Sequence, residues 1–173
     1  MALLRILFVL LIGLITLPFR LLLGRFLGGG NLVRLSADDP GLNAAKAEAL
    51  ATLPEFLKRL SAPGADLASA AVKAPLAVPQ GTEHVWLTDI SYESGEFIGT
   101  VDSNASTETG VKAGQVIRVA ASSISDWKIV ERGMLVGGFT IRYFVERMPA
   151  RQRKALHDGL PFRIGPDAIP SAG

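Results

Sequence analysis

The sequence predicts an α+β fold: an N-terminal transmembrane helix, an amphipathic helix, and a small bent antiparallel β-sheet or partial barrel of about five strands. Three observations predict it. An apolar run near the N-terminus is long enough to span a bilayer, apolar residues then recur every three or four positions, and in the second half of the chain they recur every two. With 173 residues, 49% of them hydrophobic, the chain is long enough for one core and too short for two.

Residues 3–23 are a nearly continuous run of leucine, isoleucine, phenylalanine and valine. As a helix this run would reach about 31 Å, which matches the hydrocarbon core of a bilayer. Arg5 and Arg20 stand near its ends, where long side chains reach the headgroups. We therefore predict a transmembrane anchor over residues 1–27, with the lipid bilayer as the partner of residues 3–23. The alternatives are a cleaved secretory signal and a peripheral amphipathic helix, but no A-x-A-like cleavage triplet follows the run.

Charge is distributed unevenly along the chain. Four arginines and no acid precede Ser36, which leaves 14 basic against 16 acidic residues in the rest of the chain. The part beyond the anchor is therefore not basic, which argues against a nucleic-acid partner. Arg20, Arg25 and Arg34 follow the apolar run and slightly favour a cytoplasmic position for what comes after it. The chain has no cysteine, which excludes disulfides, thiol chemistry and cysteine-ligated metals.

Residues 28–82 are predicted to be a linker that carries an amphipathic helix over residues 40–60. Asp39 and Pro40 are typical of an N-cap and of the first helical position. Pro54 predicts that the helix kinks or restarts there. Thr52 and Glu55 would cap the restarted helix as a capping box. Residues 64–82 contain proline and glycine without a sustained period, so we expect a linker there, with at most one short edge strand at 71–74.

Residues 83–148 are predicted to form a β-rich domain. Apolar residues alternate in five segments that are typical of strands: 83–90, 96–102, 115–120, 124–131 and 135–148. Two of the separating turns are Glu93-Ser94-Gly95 and Arg132-Gly133, and such short loops favour antiparallel pairing. The alternation is clearest at Phe139, Ile141, Tyr143 and Val145. A short helix over residues 150–157 and a proline-rich tail complete the last segment, residues 149–173.

Several motifs follow one another in order along this domain: Glu83-His84-Val85-Trp86-Leu87, Phe97-Ile98-Gly99-Thr100-Val101, Val111-Lys112-Ala113-Gly114-Gln115-Val116, Ile124-Ser125-Asp126-Trp127 and Leu135-Val136-Gly137-Gly138-Phe139-Thr140-Ile141-Arg142. With Ala51-Thr52-Leu53-Pro54-Glu55-Phe56 in the preceding helix, they resemble the YegJ-like family of bacterial proteins of unknown function (domain of unknown function 2314). The likeness covers residues 44–148. One departure is local, because such proteins tend to have Asn-x-Pro where this chain has Asn104-Ala105-Ser106. The resemblance implies a fold and brings no activity with it.

The sequence contains no motif that is typical of catalysis or of cofactor binding. There is no G-x-S-x-G, and neither His84 nor His157 has a second metal ligand three or four residues away. We therefore predict no catalytic, cofactor-binding or metal-binding residue and no cofactor.

Four residues in two places form a candidate binding face: His84, Trp86, Asp126 and Trp127. His84 and Trp86 share one face of a strand, which is either a ligand-facing patch or one side of the packed sheet. We interpret Asp126 as a carboxylate that accepts backbone N–H groups, in preference to a catalytic acid. We interpret Trp127 as a core residue with its indole N–H satisfied, in preference to a platform for a ligand.

Taken together, these features favour a membrane-tethered, non-catalytic binding or scaffolding module whose partner is a protein or an envelope component. The alternative is an enzyme with an unrecognised site in the β-rich domain. The predicted anchor, together with the resemblance to bacterial proteins, implies a single-pass location in the inner (cytoplasmic) membrane.

Overall fold

The computed structural model describes residues 39–79, 81–102 and 110–169. The anchor predicted over residues 1–27 and the departure at Asn104 lie outside these ranges. Within them, no helix combines the length and the apolar character that crossing a membrane requires. The described residues form four α-helices and one six-stranded sheet.

The predicted amphipathic helix is two helices, α1 (Pro40–Ala51) and α2 (Leu53–Ser61). The predicted N-cap is confirmed, since the Asp39 carboxylate accepts the N–H of Leu42 at 2.8 Å. The predicted restart before Pro54 is also confirmed, but the capping box does not form. The hydroxyl of Thr52 donates back to the carbonyl of Glu48 at 2.8 Å, which leaves no side-chain cap on α2.

The sheet is open, and every neighbouring pair of its strands is antiparallel, as predicted. Its strands are β1 (Leu67–Val78), β2 (Gly81–Glu93), β3 (Glu96–Val101), β4 (Val116–Ala120), β5 (Asp126–Glu131) and β6 (Met134–Gly137). They lie in the order β4-β3-β2-β1-β5-β6. The predicted turns at Ser94-Gly95 and Arg132-Gly133 are confirmed, with positive φ at both residues of each pair, as tight hairpins require.

The linker predicted over residues 64–82 is wrong, because most of it forms β1, a twelve-residue strand between β2 and β5. Pro75 is tolerated because β5 pairs with β1 only as far as Lys73, so the proline lies beyond that pairing. β1 is held by partners that lie later in the chain, and its alanine-rich sequence shows little periodicity by itself. The sheet therefore has six strands instead of about five.

The strand predicted over residues 135–148 is wrong beyond Gly137. Gly137 and Gly138 adopt left-handed backbone angles, with φ of 70° and 66°, and the chain turns there into helix α3 (Phe139–Glu146). The predicted short C-terminal helix is confirmed as α4 (Ala150–Gly159).

Helix α3 resembles a strand in sequence because it is buried on two sides. Phe139 and Tyr143 join one core cluster, whereas Ile141 and Val145 join a second one. Each pair is spaced by four residues, as neighbours on one helix face are. Two such pairs offset by two residues produce the same alternation as a strand.

The first core cluster lies between one face of the sheet and helices α1 and α2. Trp127 is completely buried at its centre. Its ring stacks on Phe56 with 5.0 Å between ring centroids, and its Nε1–H donates to the carbonyl of Ala49 at 2.9 Å. Val72 pairs with both Leu87 and Trp127 across the neighbouring strands, which places all three on this face.

The second cluster lies on the opposite face and joins β5 and β6 to α3 and α4 through Val130, Leu135 and Leu156. Among the described residues it reaches Trp86 on β2, but it does not extend over the rest of β2 or over β3 and β4. There the same sheet face carries Thr88, Ile98, Thr100, Val116 and Arg118, which we call the open face.

The side chains of the open face are half-buried or exposed, and Val116 is 62% exposed. Ile98 and Val116 belong to neither core cluster of the described residues. On the opposite face of the same strands Leu87, Phe97 and Val101 are completely or almost completely buried. The described residues thus cover the sheet on one face along its length and on the other mainly near β5 and β6.

Gly137 offers a test of how the chain turns into α3. A Cβ atom there would lie 2.5 Å from the ring of Trp127 and 2.6 Å from its carbonyl oxygen, in addition to the positive φ. Gly95 also has a positive φ, but no heavy atom lies within 4 Å of the position of its Cβ. We expect Gly137→Ala to reduce the free energy of unfolding by about 3 kcal/mol and Gly95→Ala by about 1 kcal/mol. Urea denaturation of both variants measures the difference, and equal losses would show that the contact with Trp127 relaxes without cost.

Candidate functional site

The carboxylate of Asp126 is the most densely bonded group in the described chain. Oδ1 accepts the N–H of Trp127 at 2.8 Å and that of Phe139 at 3.1 Å, and Oδ2 accepts the N–H and the hydroxyl of Thr140 at 2.9 and 2.6 Å. Burial raises the pKa of Asp126, against the lowering effect of the Thr140 hydrogen bonds and of the positive charge of Lys73. Two bonds to each oxygen fill the acceptor positions of a carboxylate. The interpretation of Asp126 as a carboxylate that accepts backbone N–H groups is confirmed.

Lys73 lies beside this carboxylate on β1, in register with Asp126 on β5 and with Trp86 on β2. Its ammonium group donates to Oγ1 of Thr140 at 3.3 Å. Burial lowers the pKa of Lys73, and the charge of Asp126 opposes that shift. Lys73 is therefore a half-buried lysine whose ammonium group donates to a neutral hydroxyl.

His84 forms a hydrogen bond between its Nδ1 and Oγ of Ser125, at 2.8 Å. The same hydroxyl lies 3.3 Å from the carbonyl of Lys73, to which it can donate. Burial lowers the pKa of His84 to about 4, and the charges of Lys73 and Lys46 act in the same direction. His84 is therefore neutral near pH 7 and joins β2 to the residue that precedes β5.

Trp86 lies half-buried at the border between the second core cluster and the open face. Two lysine ammonium groups lie against its ring: Nζ of Lys128 is 4.5 Å from the ring centroid and Nζ of Lys73 is 5.7 Å from it. Burial lowers the pKa of Lys128 to about 8, against the raising effect of Asp102 and Asp126. An aromatic ring with two cations stands at the edge of an uncovered sheet face.

The structure divides the candidate binding face that the sequence predicts. Trp127 lies in the first core cluster with its indole N–H satisfied, which confirms its interpretation as a core residue. Asp126 is equally inaccessible, with 0% of its surface exposed. His84 and Trp86 are half-buried and lie on the side of the sheet that includes the open face.

The sequence does not identify the other residues around Asp126, which form one cluster with it: Lys73, Lys128, Ser125 and Thr140. Lys73 falls in the segment expected to be a linker, and Thr140 in the segment expected to be a strand. Lys128 and Ser125 lie in the predicted strand over 124–131, where the sequence alternation gives their faces but not their neighbours. Only the registers of β1 with β2 and β5 bring these side chains together.

Three surface grooves of the described residues lie away from the cluster around Asp126. A groove of about 770 Å³ between α1, α3 and residues 166–169 is lined by Arg142 and Tyr143 among others. Two more, of about 480 and 620 Å³, share Leu60 and Ile90 on their walls. None of the three is lined by a residue of the cluster around Asp126. Among the described residues, no group of three or more His, Cys, Asp or Glu side chains is arranged to hold a metal ion.

Comparison with known proteins gives a family match and two relatives. The model of the family described as "Uncharacterized protein conserved in bacteria (DUF2314)" matches residues 39–162. The uncharacterized protein YegJ of Escherichia coli (strain K12) is 36% identical over 86 residues, which are 50% of this chain and 56% of the relative. A putative ankyrin repeat protein of Neisseria meningitidis serogroup B is 30% identical over 125 residues, 68% of this chain and 49% of the relative. The chain thus spans about half the length of each relative, and no solved structure matches it.

Replacing the buried carboxylate tests its role in holding α3. In Asp126→Asn, the amide nitrogen would face donor groups, so we expect the free energy of unfolding to fall by about 2–4 kcal/mol. Thr140→Ser keeps both the N–H and the hydroxyl that contact Oδ2, and we expect a loss of less than about 1 kcal/mol. Urea denaturation measures both. An Asn variant as stable as the parent protein would mean that α3 is held by its apolar contacts alone.

The histidine in the cluster predicts a pH dependence of stability. The folded-state pKa of His84, about 4, lies below its ordinary value of 6.5, so between these values the unfolded chain binds more protons. This contribution is complete above pH 6.5 and is lost as the pH falls toward 4. We expect His84→Gln to flatten the decline of unfolding free energy over that range, relative to the parent. His157→Gln, at an exposed position on α4, is the control. Parallel curves for His84→Gln and the parent would contradict the assignment.

Proposed function

Because this chain belongs to the DUF2314 family of bacterial proteins, as its YegJ-like motifs predict, and the family description carries no activity, we propose a function from the chain's own residues. The protein is a membrane-tethered, non-catalytic binding or scaffolding module. Its tether is the apolar run over residues 3–23, and its binding surface is the open face together with the bordering residues His84 and Trp86.

The tether is supported by composition alone. Residues 3–23 have the length and hydropathy of a bilayer span, and their two arginines stand near its ends. The four α-helices of the described residues are each accounted for by packing onto the sheet or onto one another, through Phe56 of α2 or Leu156 of α4, for example. The folded part therefore needs no lipid to bury its apolar residues, and the apolar run is left as the segment suited to a bilayer.

The observation that carries the binding role is the unequal covering of the sheet. Strands β2 and β3 bury Leu87, Phe97 and Val101 on one face, whereas the described side chains of the open face are half-buried or exposed. That face combines apolar side chains, Ile98 and the 62% exposed Val116, with hydroxyls and charges around them. A sheet face of mixed apolar and polar side chains suits the contact with a partner better than the enclosure of a small substrate.

The non-catalytic assignment is supported by how the titratable groups are used. The acceptor positions of Asp126 are filled by four donors, two of them the N–H groups of Phe139 and Thr140 at the start of α3. Those two N–H groups are consequently occupied and offer no site for a developing oxyanion. The cluster also lies outside the three grooves described above.

One observation favours the alternative, an enzyme with an unrecognised site. Ser125 and His84 lie at the 2.8 Å separation of a nucleophile and its base. Against it, only 5% of the surface of Ser125 is exposed, and the lowered pKa of His84, about 4, makes the ring a weak base near pH 7. We therefore propose that this pair has a structural role and helps to hold the strands of the open face together.

Photo-cross-linking in membranes tests tether and surface together. Membranes that contain the full-length protein with a photoreactive residue at Thr100 are first washed with alkaline carbonate and then irradiated. We expect the protein to stay in the pellet and to give a discrete cross-linked product. A photoreactive residue at Lys58, exposed on α2 over the opposite face, is the control and should give none.

Val116→Glu supplies the matched variant. Val116 is the register partner of Thr100 and is mostly exposed, so a charge there alters the surface and leaves the core unchanged. We expect it to reduce the product formed at Thr100 severalfold. Release of the protein by carbonate would contradict the tether. A product that forms equally from Lys58, or that Val116→Glu leaves unchanged, would contradict the binding surface.

A further inference from the structure

The largest of the three grooves, about 770 Å³, lies between α1, α3 and residues 166–169 and combines apolar with acidic side chains. Its apolar lining includes Ala44, Ala45, Phe139 and Ile169. Three exposed carboxylates also line it: those of Glu48, Glu146 and Asp167. The groove is therefore suited to a segment that carries both apolar side chains and a positive charge.

Arg142 also lines this groove, but its guanidinium group is committed to backbone carbonyls. Nε donates to the carbonyl of Gly137 at 2.8 Å, and the two terminal nitrogens donate to those of Gly165 and Leu135 at 2.6 and 2.7 Å. The three carboxylates act on Arg142 through charge alone, since none of them forms a salt bridge in the described part of the chain. Three acids against one arginine give the lining a net charge of −2.

The described chain begins at this groove. Asp39 caps α1 and accepts a hydrogen bond from the hydroxyl of Tyr143, which lines the groove, as does Gly41. Glu48 lies nine residues beyond Asp39, about 14 Å along the helix axis. Arg34 lies five residues before Asp39, a length of chain that spans up to about 17 Å. Arg34 can therefore reach either end of the groove.

Three parts of the chain outside the described ranges differ in the charge that they could bring to the groove. Residues 170–173 follow Ile169 directly but carry no charged side chain, and the charged side chain in residues 103–109 is an acid, Glu108. Basic side chains occur only before Asp39. Charge complementarity therefore favours the segment that precedes α1.

Within that segment, residues 31–36 combine both properties that the groove requires. Arg34 is the basic residue closest to α1 along the chain. Leu32, Val33 and Leu35 surround it with apolar side chains. No acid lies among these six residues, so the segment contributes a net charge of +1.

We propose that residues 31–36 dock in the groove between α1 and α3, with the guanidinium group of Arg34 at its carboxylates and the neighbouring apolar side chains on its apolar lining. Because the occupant belongs to the same chain, its effective concentration is high, and a contact of low intrinsic affinity is sufficient. Docking fixes the orientation of the folded part relative to the segment that leaves the predicted anchor. The inference goes beyond the proposed function and does not depend on what the open face binds.

Cysteine reactivity measures the docking, because the chain has no cysteine of its own. Ala44→Cys places a thiol in the groove, and Ala47→Cys, at an exposed position of α1 outside the groove lining, is the matched control. Each full-length variant is purified in a non-ionic detergent and treated with a water-soluble maleimide. We expect Ala44→Cys to react more slowly than Ala47→Cys by about fivefold or more, because the docked segment covers the thiol.

Variants of Arg34 attribute the protection to the proposed segment. In the Ala44→Cys background, Arg34→Glu should raise the reaction rate severalfold, because it brings a negative charge to an acidic groove. Arg34→Lys should keep the protection. In the Ala47→Cys background neither substitution should change the rate. None of the contacts of the described fold involves Arg34, so these variants do not disturb the groove itself.

Charge reversal identifies the partner of Arg34. Glu48→Lys, Glu146→Lys and Asp167→Lys are each combined with Arg34→Glu in the Ala44→Cys background. We expect at least one of the three to restore the protection, because it reinstates an opposite charge in the groove. The carboxylate that does so is the one that Arg34 contacts.

Three results would overturn the inference. The first is equal reaction rates of Ala44→Cys and Ala47→Cys. The second is protection that Arg34→Glu does not reduce, which would assign the groove to another occupant such as detergent or residues 170–173. The third is a loss of protection that no charge reversal restores. Each leaves the proposed function untouched, since cross-linking from Thr100 depends on the open face and not on this groove.

Discussion

The position of α3 depends on the buried carboxylate of Asp126. Gly137 and Gly138 turn the chain through left-handed backbone angles after β6, and a buried helix start would otherwise leave the N–H groups of Phe139 and Thr140 unpaired. Asp126 accepts both, and because it is the first residue of β5, it fixes the helix to the sheet. The same residue precedes Trp127, so the polar contact that holds α3 lies next to the centre of the first core cluster.

The sequence predicts those parts of this fold whose causes are local. The Asp39 cap, the hairpins at Ser94-Gly95 and Arg132-Gly133, and most strand positions depend on a few neighbouring residues and are recovered. β1 and α3 are not recovered, for different physical reasons. β1 is a strand because β2 and β5 lie on both sides of it, and α3 has two buried faces whose superposed periods imitate alternation.

Local sequence patterns predict the candidate site only in part, as they do the fold. The spacing of His84 and Trp86 alone places them on one strand face. Trp127 can be assigned to the core because it is a large apolar residue within a predicted strand. Lys73 and Lys128 cannot be placed beside Trp86, because no local pattern states which residue of β1 faces which residue of β2 or β5. The register that joins them is set by burial of Val72, Leu87 and Trp127 on the other face, since a slip of one residue would expose all three.

That coupling between the two faces explains why the open face is well defined although little packs on it. α1 and α2 precede the sheet and cover one side, and α3 and α4 follow β6 and reach the other side only near β5 and β6. Within the described residues, no further helix covers β2, β3 and β4 on that side. The orientation of their side chains is nevertheless fixed by packing on the opposite face, where the ring centroids of Phe56 and Phe97 are 5.8 Å apart. A partner of the open face would therefore meet side chains already held in place, and binding would cost little ordering of the strands beneath them.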